Sequence, residues 1–140
     1  MSTISPQTAL VYAMVLVSAS DRQMTDSELR RIGDLVRALP AFDGYDENSL
    51  VDDAKSCAEI LDDDEGLDAV FGLIAEAIPA SHSDLIYALG CEIAAADGAL
   101  TQEELRLLEM LRHRFAVDRL TAAAIERGVA ARRKSFEIKG

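Results

Sequence analysis

An all-α fold, about seven helices in one compact bundle-like domain, is what the sequence predicts, and three observations predict it. Apolar residues recur at three- and four-residue spacing along almost the whole chain, and no stretch alternates with period two. Glycine and proline are sparse, 8 and 3 in 140 residues, so few points interrupt a helix. One segment occurs twice: DRQMTDSELRRIGDL at 21–35 and DGALTQEELRLLEML at 97–111 match at a constant offset of 76 residues. A repeat of this length predicts two related, pseudo-symmetric halves, at about 5–40 and 81–116, inside a single domain spanning 1–140.

The first helix is expected over 6–19, with Ser5 as N-cap and Pro6 in the first turn. Its run ALVYAMVLV, followed by Ser18, Ala19 and Ser20, imitates a secretory leader. No Lys or Arg precedes Arg22, however, and the run aligns with the helix before the second repeat: Leu10, Ala13 and Val17 meet Ile86, Leu89 and Ile93. It therefore reads as a core helix, and its 9 residues are too few to span a bilayer. The second helix is expected over 26–39, with Leu29, Ile32, Val36 and Leu39 on one face, and Pro40 ends it. A loop carrying Asp43, Gly44 and Asn48 follows. The third helix, over 48–61, turns Leu50, Ala54, Cys57 and Leu61 inward. Asp62, Asp63, Asp64 and Glu65 then break the pattern and suit the positive end of a fourth helix, whose stripe Leu67, Val70, Phe71, Ile74 and Ile78 ends at Pro79. Ser81 is expected to cap a fifth helix running to about 96, a sixth spans 102–115, and Asp118 caps a seventh that continues towards 133.

Charge narrows the function classes. The net charge is −11, with 15 acids against 5 bases in residues 1–70 and 10 against 9 in residues 71–140. Such a surface repels phosphates, which argues against nucleic acid, and it suits cations or basic partners. Arg132, Arg133, Lys134 and Lys139 form a short basic tail, expected to be a solvated helix end. Cys57 and Cys91 fall inside apolar helical patterns and read as small buried hydrophobes, consistent with a reducing cytoplasm.

The repeated corner carries the most chemistry. Gly98 suits the end of one helix, and Thr101 with Glu104 forms a capping box at the start of the next. Thr25 and Glu28 repeat the box, with Leu100 and Leu105, and Met24 and Leu29, placed to staple the two corners. The string D-G-x-[hydrophobic]-x-x-x-E also matches the last eight positions of a calcium-binding EF-hand loop. The first part of that loop is absent, because its early ligand positions fall on Ile93 and Ala95, and on Val17 and Ala19. A self-contained EF-hand is thereby excluded. Carboxylates from both corners can still share one hard divalent cation across the pseudo-twofold, since such a cation takes several oxygens. The candidate ligands are Asp21, Glu28, Asp97 and Glu104, with Glu92 joining from the end of the fifth helix, where the first half has Leu16.

Enzyme chemistry finds little support. His82 and His113 stand at no recognised spacing from either cysteine, and there is no Glu-x-x-His motif and no glycine-rich phosphate loop. A carboxylate–metal hydrolase is the one enzymatic alternative that periodicity leaves open.

The corner EIAAADGALTQEELRLLEML, residues 92–111, resembles the TerB-like family of bacterial tellurite-resistance systems, and the resemblance extends over nearly the whole chain. It departs at the first corner, where Arg22 stands in place of the glycine. The resemblance implies an all-helical, non-enzymatic cytosolic module tied to tellurite and chemical stress. It implies TerC-type membrane proteins and TerD-type proteins as partners, with the chain peripheral to the inner membrane through them and not inserted. It also implies a metal site at Asp21, Glu28, Asp97 and Glu104, with Glu92 as a further member. An interaction or co-chaperone-type domain without metal is the alternative role, since a related domain fronts a J-domain co-chaperone.

Overall fold

The computed structural model describes residues 4–18, 24–96 and 100–136. Seven α-helices and three short 3-10 turns occupy the described residues, and no strand is found among them. The helices are α1 (Pro6–Ser18), α2 (Asp26–Ala38), α3 (Leu50–Leu61), α4 (Gly66–Ala77), α5 (Ser83–Ala94), α6 (Gln102–Arg114) and α7 (Arg119–Arg132). The 3-10 turns are Pro40–Phe42, Glu47–Ser49 and Ala80–His82.

Helix α1 is apolar all round, and such a helix belongs in the interior. Every residue from Ala9 to Ser18 is buried. It packs against α3, α4 and α5 most extensively and also touches α2 and α6. Helix α5, its counterpart in the second half, packs against α1, α6 and α7. The two repeated helices therefore lie together at the centre, and the leader-like run is a core helix. Met14, Leu16, Phe71, Ile74, Ile86 and Leu89 are among the side chains fully withdrawn from solvent there.

The helix starts are chemically specified. Ser5 Oγ accepts from the Thr8 amide at 3.1 Å, so it caps α1. Asp118 accepts from the Thr121 amide at 2.8 Å and caps α7. Ser81, by contrast, does not cap α5. It sits within the 3-10 turn before the helix, and its hydroxyl pairs with His82 Nδ1 at 2.9 Å. Proline 79 sets that extra turn by starting it at an extended backbone angle.

The two halves differ in how the second and third helices of each are joined. Between α2 and α3, the connection folds back: Gln7 Nε2 donates to Ala41 O at 3.2 Å and to Asp43 O at 2.8 Å. Thr8 Oγ1 and Tyr45 OH both donate to Asp53 Oδ2, at 3.1 and 2.6 Å. Gly44 takes a φ of +83°, which favours glycine. Between α6 and α7 the chain turns at once. Val117 N donates to Arg112 O at 2.9 Å and Ala116 N to His113 O at 3.3 Å, the two bonds of a Schellman stop.

Candidate site at the paired corners

Both corners start from the same local rule. Thr25 Oγ1 accepts the Glu28 amide at 3.2 Å, and Glu28 Oε1 accepts the Thr25 amide at 2.8 Å. Thr101 and Glu104 make the same two bonds at 3.1 and 2.9 Å. Each glutamate is thus held at the positive end of its helix, where negative charge is favoured. The capping bonds use Oε1 in both copies and fix the direction of each carboxylate.

With α1 packed on α5, the start of α2 and the start of α6 border one cleft. Glu28 and Glu104 line one cleft of about 20 Å³, together with Ser18 from the end of α1 and Ile93 from the end of α5. That volume holds about one water or one small ion. Arg31 lines the same cleft, which sequence reasoning missed. The signal was a break in the repeat, since Arg31 aligns with Leu107. Ser18 was missed as well; its hydroxyl bonds Val15 O at 3.4 Å and Met24 Sδ at 3.5 Å. Asp21 and Asp97 lie outside the described residues. Among the described residues no group of three or more His, Cys, Asp or Glu side chains is gathered for a metal.

Glu92 takes a different place. It is buried near the end of α5 and lines an adjoining groove of about 280 Å³ that shares Arg31 and Ile93 with the cleft. Its Oε2 pairs with Arg132 and its Oε1 with Arg133 at 3.2 Å. Arg133 also donates to the Glu92 carbonyl at 3.4 Å. A carboxylate at a helix C-terminus meets the negative end of the dipole, and two guanidiniums offset that. The basic tail is therefore not simply a solvated helix end: Arg132 and Arg133 clasp α7 onto α5. Spacing hid this, because the partners are 40 and 41 residues apart in sequence.

Neither cysteine is suited to nucleophilic work. Burial pushes the Cys57 thiol up to about 12 and the Cys91 thiol up to about 11, so neither is a thiolate near neutral pH. His82 and His113 are exposed. His113 pairs with the Glu109 carboxylate one turn earlier, at 3.8 Å. None of the described helices is long and apolar enough to cross a membrane.

Comparison with known proteins adds a family. A family model described as tellurite resistance protein TerB matches residues 7–127. No curated protein and no solved structure matches the chain.

Proposed function

The chain belongs to the TerB family, and from that membership we propose that it is a non-enzymatic stress-response module that binds partners and holds a divalent cation between its two acidic corners. One observation carries the cation part: two capped glutamates, 76 residues apart in sequence, converge on a cleft of about one water's volume. The donors are oxygens, and carboxylates dominate them, which fits a hard cation such as calcium or magnesium. Glu28 and Glu104 supply two ligands, and Asp21 and Asp97 of the same corners supply the others. Glu92 joins them only if Arg132 and Arg133 release it. Arg31 on the cleft wall lowers the affinity for any cation, while attraction to the acidic corners is expected to be strongest at low ionic strength. The family supports a role in tellurite or chemical stress, in the cytoplasm, with TerC-type membrane proteins and TerD-type proteins as partners.

The same geometry favours a second reading, in which the corners are caps and nothing more. Calorimetric titration with calcium, magnesium, manganese and zinc separates the two. We expect one cation per chain, and at least about a tenfold loss of affinity in Asp97→Ala/Glu104→Ala. Wild-type affinity in that variant eliminates those ligands. A Glu104→Ala chain that loses about 1 kcal/mol of stability without changing cation affinity supports the capping reading.

A further inference from the structure

We infer that an open apolar groove between α5, α6 and α7 is the docking site for one amphipathic helix of a partner protein, laid apolar face inward with basic side chains on its flanks. This rests on the partner-binding reading above and names the surface that reading lacks.

The groove has two compartments, of about 400 and 140 Å³, which share Leu100, Leu108 and Glu126. The first also takes in Tyr87 and Leu105, and the second Cys91, Ala94 and Val129. Leu100 and Leu105 are 48% and 42% exposed, so the staple expected of this corner is open to solvent. Their counterparts in the first half, Met24 and Leu29, are partly buried against the core. A paired leucine surface left open at one corner and covered at the other marks a place where something binds.

The internal repeat shows that the matching face of the first half is covered. On α2, Gly33 and Val36 are buried. A Cβ at Gly33 would lie 3.7 Å from Leu50, the first residue of α3. The folded connection that delivers Leu50 is missing from the second half, where α6 turns directly into α7. At the positions of Gly33 and Val36, α6 carries Glu109 and Arg112, and both line the groove. The first half thus covers this face with Leu50 and the 3-10 turns of the fold-back, and the second half has no such connection over the matching face. A strand would need a sheet edge to pair with, and the described residues contain none. A helix satisfies its own backbone and needs only an apolar trough for its anchors at three- and four-residue spacing.

Charge selects the flanks of that helix. Glu109 on α6 and Glu126 on α7 line the groove against a single base, Arg112. Tyr87 OH donates to Glu126 Oε2 at 2.5 Å and holds that carboxylate at the groove. The two carboxylates outnumber the one guanidinium along the groove, so basic flanks on the helix are matched on contact.

The test is a selection from a displayed library of helix-forming peptides of about 16 residues, random in charge, against the whole chain. Selected peptides are then titrated into isotope-labelled protein. We expect amphipathic Lys- and Arg-rich peptides whose shifts map to Tyr87, Leu100, Leu105 and Leu108. Leu100→Glu/Leu105→Glu alters exposed positions and should fold, as circular dichroism will check; it is expected to weaken binding at least about tenfold. Glu109→Lys is expected to weaken binding too, and to flatten its dependence on salt. Acidic or uncharged peptides, binding that survives Leu100→Glu/Leu105→Glu, or self-association of the chain through this face would overturn the inference. Peptides that map to another face defeat the groove and leave the module reading intact. A chain that selects no peptide defeats both the groove and the partner-binding half of that reading.

Discussion

Glu92 shows how much a single residue changes between the two halves. Its counterpart, Leu16, is a fully packed core side chain in α1. Replacing leucine by a carboxylate at that depth requires partners, because an unpaired buried charge is costly. Arg132 and Arg133 supply them from the far end of α7. Removing both arginines while leaving Glu92 in place is therefore expected to lower stability by about 1–3 kcal/mol in urea unfolding. Arg127→Ala, on an exposed position of the same helix, serves as the control and should stay within about 0.5 kcal/mol of wild type. An Arg132→Ala/Arg133→Ala chain as stable as the control would show that the clasp contributes nothing. Arg31 follows the same logic in reverse: a charge stands where the other copy packs Leu107, and it brings a cation to the wall of the acidic cleft.

At the scale of elements, the corners are built from short-range rules and the packing between helices from close approach. The sharp step from α3 to α4 depends on Gly66. A Cβ there would lie 1.9 Å from the Ile60 carbonyl oxygen and 2.8 Å from Leu61 Cα, so backbone must move to admit it. Gly66→Ala is expected to cost at least about 1–3 kcal/mol, whereas Gly72→Ala, where a Cβ meets open space in the same helix, should be neutral or slightly stabilising. Matched thermal melts of the two variants check this, and equal midpoints would remove Gly66 from the account of the turn. Asp118 completes the start of α7. The amide and hydroxyl of Thr121 hold its carboxyl below the usual aspartate range, so its contribution is present at neutral pH and is lost as pH falls through that lowered value.

For the molecule as a whole, the two buried thiols report on the integrity of the core. Burial raises both, so the native state holds its thiol protons more tightly than the unfolded chain, whose cysteines titrate near 8.5. The stabilisation is complete below that pH and declines as pH rises towards about 11 for Cys91 and about 12 for Cys57. Urea midpoints are expected to fall from about pH 8.5 upward, below the range where unfolded tyrosines titrate, and Cys57→Ala/Cys91→Ala should flatten that slope. At neutral pH a disulfide thiol reagent should leave Cys57 unmodified until the chain unfolds. Rapid modification of Cys57 in the native protein would contradict a closed core around α1.

The sequence by itself determined the helices, their order and most of their starts, α3 and α5 excepted, where a 3-10 turn comes first. Those features rest on neighbours within one turn: apolar residues at helical spacing, Thr25 with Glu28, Thr101 with Glu104, and the prolines that stop helices. The repeat also made α1 legible as a core helix and as the counterpart of α5. Tertiary structure decided everything that depends on residues far apart in the chain. It sent Glu92 to two arginines about forty positions away. It placed Arg31 beside both glutamates of the cleft. It covered one corner with the fold-back before α3 and left its twin open along α6. The reason is physical: a cap or a stripe is settled by local hydrogen bonds and burial, while a buried charge finds its partner, or a leucine its cover, only once distant helices are brought together.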